Sequence, residues 1–340
     1  MFGVDELGMD LGTSMSHIVV RGKGIVLSEP AYVAYDRQTR DVVAVGEQAR
    51  RMYGRTPAGL VVEQPLREGR IRSFDLLSKM LRYFMRKVVG KRAAFRPRIL
   101  LALPGGMAPS ERQTLVDVMV DAGVRSVVPV DESVASAIGA GMRIDQPYGR
   151  MNIDVGGGRT NVSVFSFGHQ IVWDILGVGG DRFDDAIIDY VRKKHNLLIG
   201  ERTAEEIKIN IGCAVPQVSD ISMDVTGRNL ISGLPKTQSV TTGEIYEALK
   251  DAIGELIEAI QAVIERTPPQ LASDIFDDGI VFSGGAAALK GLTEAVYAAL
   301  RIPCGVADDP QTSVVMGCGR ALEDLSGMKH LLENRKGWGR

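Results

Sequence analysis

Apolar residues recur along the chain at two spacings. Leu77, Met80, Leu81, Phe84, Met85 and Val88 share one helical face that ends at Gly90. Leu249, Ile253, Leu256, Ile257, Ile260, Val263 and Ile264 do the same before Pro268 and Pro269 stop the helix. Phe183, Ile187, Ile188 and Val191 predict a helix early in 181–245, and Thr203 with Glu206, at capping-box spacing, predict the start of a second. Elsewhere the runs are short and strand-like. "MDLGTSMSHIVVRGKGIVLSEP" (9–30) and "IDVGGGRTNVSVFSFGHQIVW" (153–173) each read as strand, tight turn, strand and hairpin. Residues 31–65 hold short mixed elements.

The two strand-turn-strand stretches are the first of three internal echoes. "RILLALPGG" (98–106) and "GIVFSGGAAALKGL" (279–292) are both a buried strand entering a glycine turn before a helix. "SVVPVDESVASAIGAGM" (126–142) and "CGVADDPQTSVVMGCGRAL" (304–322) are both a short strand, acids, then a helix of small residues. Three echoes in one order predict two related α/β lobes with insertions.

Composition narrows the class. The chain has 340 residues, 45% hydrophobic and 24% charged, enough apolar material for a large core. A net charge of -2 gives no global reason to expect nucleic acid as a partner. Three dispersed cysteines, Cys213, Cys304 and Cys318, argue against a disulfide framework or zinc site and for a reducing compartment. No apolar run reaches the roughly 18–20 residues of a membrane-spanning helix, so a cytoplasmic protein is expected.

Glycine weakens a strand unless the backbone must turn sharply or something must approach closely. A glycine turn aims successive N–H groups into one concavity, and phosphate is its common occupant. Two such turns facing each other would clamp a polyphosphate. A carboxylate beside phosphate is repelled unless a cation lies between. Asp10 and Asp154, leading the two turns, therefore imply a Mg²⁺–nucleotide held through water. A lone "DLGTS" reads first as a hairpin with a solvated aspartate; two copies in related lobes reverse that in favour of the nucleotide. Glu132, where a strand meets a helix, either suits the helix dipole or orients water toward the terminal phosphate.

The order "DLGTS", "GKGIVLSEP", "VAVGEQARRMYGRTP", "DVGGG", "NLLIGERTAEEIKI", "GLPKT" and "RTPPQLASDIFDDGIVFSGGAAALKGL" resembles the MreB and Mbl family of bacterial actins, from about Gly8 to Leu322. The resemblance implies an α/β actin-like ATPase fold: two related lobes with duplicated βββαβα cores and inserted subdomains. On that pattern 1–32, 66–145 and 312–340 form subdomain IA and 33–65 form IB. Residues 146–180 and 246–311 form IIA, and 181–245 form IIB. ATP and Mg²⁺ are the implied cofactors. Gly12, Thr13, Ser14 and Met15 would hold phosphates, as would Gly156, Gly157 and Gly158, with Asp10 and Asp154 serving Mg²⁺. Glu205, Glu206 and Lys208 would lie along the nucleoside, with Ser283, Gly284, Gly285, Ala286 and Ala287. Read from spacing alone, Glu205 and Lys208 are an exposed helical pair.

The implied role is a filament-forming cytoskeletal protein on the inner membrane face that maintains cell shape by organising wall synthesis. Its partners would be itself, the membrane surface, wall-synthesis membrane proteins and other MreB paralogues. Ala93, Ala94 and Phe95, flanked by Lys91, Arg92, Arg96 and Arg98, form an apolar tip suited to anionic lipid. A copolymerising or non-polymerising nucleotide switch acting on another MreB is the alternative, and a kinase of the same superfamily a third. Ser14 and Met15 replace the family's alanine and asparagine, and Ala286 replaces a glycine in a turn expected to need positive φ. Arg159 replaces a threonine that, with Glu132, would hold the attacking water. It donates charge to the γ-phosphate, displaces the water, or leans out to solvent. Slow or lost hydrolysis is expected.

Overall fold

The computed structural model of the chain describes residues 6–90 and 96–324. These form two compact units. The first takes the described residues up to Tyr148, with Phe165–Gln170 and those from Gln311 onward; the second takes Gly149–Val164 and Ile171–Pro310.

In the first unit a five-stranded sheet runs Gly24–Pro30, Met15–Val20, Glu6–Leu11, Arg98–Leu103, Ser126–Asp131. Its first three strands are antiparallel neighbours, which short turns can join; the last two pair parallel. Parallel neighbours need crossovers, supplied by the helices Phe74–Val89 and Pro109–Asp121. Covered on both faces, Ile99–Leu103 is buried without alternation. The helix Phe74–Val89 buries Leu77, Met80, Leu81, Phe84 and Met85, as its periodicity predicts, with Val88 half-buried.

The second unit repeats this plan. Its sheet runs His169–Leu176, Thr160–Ser166, Arg150–Val155, Ile280–Ser283, Cys304–Val306. In both sheets the third strand in sequence lies at one edge, then the second, the first and two later ones. The three sequence echoes therefore occupy equivalent sheet positions, except that both small-residue helices belong to the first unit. There Glu132–Gly139 and Ser313–Glu323 pack backbone to backbone. A Cβ on Gly139 would fall 1.6 Å from the Ser313 carbonyl oxygen, and one on Gly317 1.8 Å from that of Ala135, so only glycine fits either position.

Both insertions carry small sheets. Val33–Asp36, Val42–Val45 and Leu60–Glu63 form one, beside the short helix Glu47–Met52. Leu197–Leu198, Ser222–Asn229 and Pro235–Thr241 form the other, with the helices Gly180–His195 and Glu201–Ile211. The predicted capping box at Thr203 and Glu206 is not formed. The chain leaves Leu197–Leu198 and starts the helix at Glu201, so Thr203 lies inside it and Gly200 caps it without a side-chain bond. A capping box occurs instead at Thr241 and Glu244, where Thr241 N–H donates to Glu244 Oε2 at 3.0 Å and Glu244 N–H to Thr241 Oγ1 at 3.4 Å. It opens the 25-residue helix Thr242–Arg266, which buries Leu249, Ile253, Leu256, Ile260 and Val263. Among the described residues no helix is long and apolar enough to cross a membrane. Ala93, Ala94 and Phe95 lie outside the described residues.

Candidate functional site

In the first unit Asp10 is buried near the end of Glu6–Leu11, paired with His17 on one neighbouring strand and Ala102 on the other. Its charge adds to burial in raising the Cys318 thiol well above the usual range. The turn that follows is tight: a Cβ on Gly12 would sit 2.7 Å from the Met15 carbonyl oxygen. Surrounding backbone holds this turn in place. Thr13 Oγ1 accepts from Glu68 N–H at 3.1 Å, the Thr13 carbonyl from Gln64 Nε2 at 3.1 Å, and the Ser14 carbonyl from Ala31 N–H at 3.0 Å. Thr13 thus keeps its hydroxyl proton to donate. Met15 begins the next strand, half-buried. Glu132 is the first residue of its helix, also half-buried, behind the cap Asp131, which accepts from Ser133 N–H at 3.0 Å.

In the second unit Asp154 is buried and lies beside Ser283 in the parallel ladder. The predicted groups at 154 and 283–284 therefore meet. Gly284, at φ 84° and ψ 154°, is the residue that makes this possible. A Cβ there would lie 2.4 Å from the Val155 carbonyl oxygen and 2.5 Å from Asp154 Oδ1. Ser283 Oγ donates to Asn152 Oδ1 at 3.2 Å. The expectation of positive φ at position 286 is not met: Ala286 lies within the 3-10 turn Gly285–Ala288, and Gly284 carries the left-handed geometry. Alanine is therefore tolerated there. Gly285 is exposed and Ala287 buried.

The turn after Asp154 closes on itself. Gly156 N–H donates to the Arg159 carbonyl at 2.9 Å, so an anion here must take the N–H groups of Gly157 and Gly158. A second glycine run, "GVGG" (177–180), lies on this turn. Gly180 N–H donates to the Gly156 carbonyl at 3.0 Å and Asp181 N–H to that of Gly157 at 2.8 Å. A Cβ on Gly179 would stand 2.6 Å from the Gly157 carbonyl oxygen. One on Gly180 would meet Lys208 Nζ at 3.3 Å, Gly157 Cα at 3.6 Å and Ala286 Cβ at 3.7 Å. Gly180 is thus where the 156–159 turn, Lys208 and Ala286 converge, at the N-terminus of the helix Gly180–His195. Gly179, Gly180 and Asp184 were not among the residues expected here. Their signal was the glycine pair opening a helix, the same signature that marked the other turns.

Lys208 is not an exposed helical partner of Glu205. Its ammonium is largely buried and donates to the Gly180 carbonyl and to Asp184 Oδ2, both at 2.9 Å. Glu205 is half-buried, whereas Glu206 is exposed and accepts from Arg202 Nε at 3.1 Å, apart from Lys208. Arg159 is only 9% exposed, which removes the possibility that it leans out to solvent. Thr160, next along, is buried and donates its hydroxyl proton to the Val178 carbonyl at 2.7 Å.

A bound Mg²⁺ keeps several waters and takes one or two carboxylates besides phosphate oxygens. Among the described residues no cluster of three or more His, Cys, Asp or Glu is placed to hold a metal, so neither Asp10 nor Asp154 belongs to a closed protein cage. A buried carboxylate beside a glycine turn fits the ion's water-mediated mode.

Comparison with known proteins identifies the family and the fold. The family model described as MreB/Mbl protein matches residues 4–330. The cell shape-determining protein Mbl of Bacillus cereus is 41% identical over 320 residues, covering 94% of this chain and 96% of its own length. The cell shape-determining protein MreB of Escherichia coli is 41% identical over 326 residues, with 94% and 93% covered. Among solved structures, MreB 5 of Spiroplasma citri bound to AMPPNP superposes with a TM-score of 0.91 at 31% identity, covering 96% of this chain and 98% of that one. With this fold and this extent of likeness, the chain is a member of the MreB/Mbl family of actin-like proteins.

Proposed function

We propose that the protein is an ATP-binding, filament-forming cytoskeletal protein that works at the inner face of the cell membrane and maintains cell shape by organising wall synthesis. The observation that carries this reading is the repeated unit of buried aspartate, glycine turn and strand, present once in each half of the fold. The AMPPNP held by the Spiroplasma relative and the cell-shape role in the names of the Bacillus and Escherichia relatives support it. Asp10 and Asp154 are the Mg²⁺ groups. Gly12–Met15 and Gly157–Gly158 take phosphates, and Lys208 with the 283–287 turn lies along the nucleoside. Residues 33–65 and 181–245 are the inserted subdomains. The apolar tip Ala93–Phe95 rests on anionic lipid, and one copy buries too little there to bind firmly, so polymerisation strengthens attachment by avidity.

Hydrolysis is slow in this reading. Glu132 can orient a water, but the hydroxyl partner is replaced by Arg159, which is buried and has donors only. The experiment is sedimentation with Mg²⁺–ATP, with and without anionic liposomes. Nucleotide-dependent pelleting of the protein alone is expected. A protein that binds nucleotide and pellets only with another MreB would replace the filament with the regulatory switch.

A further inference from the structure

The buried carboxylate of Asp184 has no role in the reading above, yet it sits against the Lys208 ammonium. Asp184 Oδ2 accepts from Lys208; Oδ1 is shielded from solvent and has no hydrogen-bond partner among the described residues. Lys208 has three N–H donors, and two are taken, by Asp184 and by the Gly180 carbonyl. The third is left beside Gly157 and Ala286, the groups that surround Gly180.

The charge balance at this point is lopsided. Lys208 faces Asp184, with Glu205 on its own helix and Asp181 one turn before Asp184 adding negative charge. The helix Thr242–Arg266, which also packs on Gly180–His195, directs Glu255 to Arg182 and Glu244 to His195 instead. At Asp184 the Lys208 charge is thus opposed by two further carboxylates before any ligand arrives. Burial, reinforced by Glu205 and Asp181 and opposed by Lys208, pushes the Asp184 carboxyl up to about 7.

We infer that Asp184 is a proton-linked positioning residue of the nucleotide site, which takes up one proton from solvent when an anionic nucleotide binds and thereby leaves the charge of Lys208 to the ligand. The inference rests on the reading of Lys208 as a nucleotide-facing group. The proton goes to Oδ1, the oxygen without a partner, while Oδ2 continues to accept from Lys208 and holds the side chain in place. No other bond changes. The direction follows from charge: phosphate brought near an ionised Asp184 is repelled, and neutralising Asp184 removes that repulsion while freeing the ammonium's field. A like charge beside a carboxylate raises its affinity for protons, and by linkage protons raise the affinity for the anion.

Calorimetry of Mg²⁺–AMPPNP binding, in pairs of buffers with different ionisation heats, counts the protons. With the free carboxyl titrating near 7, uptake of about half a proton at pH 7 and nearer one at pH 8 is expected. Affinity should rise by up to about tenfold from pH 8.5 to 7.5 and flatten below about pH 6. Asp184→Asn, a neutral mimic of the protonated form, should bind at least as tightly as wild type at pH 8 and lose this uptake. The phosphate's own titration is common to both proteins, so their difference isolates Asp184. Binding with no uptake, with proton release, or with the same uptake in Asp184→Asn overturns the inference and leaves the nucleotide reading standing. Should Asp184→Asn fail to fold, Asp184→Ser, which equally lacks the titrating carboxyl, takes its place in the comparison. Absence of binding heat in wild type at every pH removes the nucleotide reading and the inference with it.

Discussion

Gly284→Ala tests whether the backbone at the end of Ile280–Ser283 is as constrained as it looks. Gly284 holds φ 84° and ψ 154°, a region only glycine occupies comfortably. Forcing another residue there costs about 1–3 kcal/mol. The new Cβ would also lie 2.4 Å from the Val155 carbonyl oxygen and 2.5 Å from Asp154 Oδ1, so backbone and carboxylate must both give way. Overpacking of this kind adds roughly another 1–3 kcal/mol. A combined loss near 3 kcal/mol lowers the melting temperature of a unit this size by about 6–12 °C. Because Asp154 is one of the groups displaced, Mg²⁺-dependent nucleotide affinity should fall as well. Gly305→Ala is the control: Gly305 is exposed, outside the left-handed region, and a Cβ there meets nothing within 4 Å, so little change is expected. Thermal unfolding of the three proteins, with and without Mg²⁺–AMPPNP, reads both effects. A Gly284→Ala protein melting within about 2 °C of wild type, and stabilised as much by nucleotide, would refute the constraint.

Asp154→Ala and Asp10→Ala should each weaken Mg²⁺–ATP binding about tenfold or more while leaving the Mg²⁺-free affinity nearly unchanged, as calorimetry with and without the metal would show. Arg159→Thr restores an acceptor beside the attacking water and should raise the single-turnover hydrolysis rate by up to about a hundredfold; a fall instead would make Arg159 a catalytic cation. Thr241→Ala removes the cap of Thr242–Arg266 and should cost about 1 kcal/mol in denaturant unfolding. Asp184 titrates higher when folded than when unfolded, so the folded chain holds the extra proton between about pH 4 and 7. Stability from this group is therefore lost as pH rises through that window, by at most roughly 4 kcal/mol, and Asp184→Asn should flatten that slope.

The parts of the site that were legible in the sequence are those made by chain-local geometry. An aspartate, glycines and a strand on each side define a turn wherever they occur, and the duplicated order is what pointed to a role for the turn beyond the hairpin. Helical faces such as Leu77–Val88 were equally plain, since one period decides which residues are buried. What the sequence hid depends on residues brought from elsewhere. The helix at Glu201 starts where the preceding strand releases the chain, and that overrides the cap signal at Thr203. Lys208 looks exposed by spacing and is buried because Gly180 and Asp184, more than twenty residues away, close on its ammonium. Positive φ was expected at Ala286 because the glycine run was read as a unit, but only its first glycine passes against Val155 and Asp154.

Arg159 shows the same division most sharply. Its position after three glycines is a local fact, but its burial is not. The residue closes the turn through Gly156 N–H, with Gly179 lying across it so tightly that a Cβ there would stand 2.8 Å from Arg159 N. It then leads directly into Thr160–Ser166, a strand buried along its whole length. At 9% exposure the side chain is largely withdrawn from bulk water. A charge so withdrawn must be matched by anionic or acceptor groups. Arg159 meets part of that requirement through contacts within the protein; in the function proposed above, its charge beside the glycine turn is also what sets how a terminal phosphate is treated.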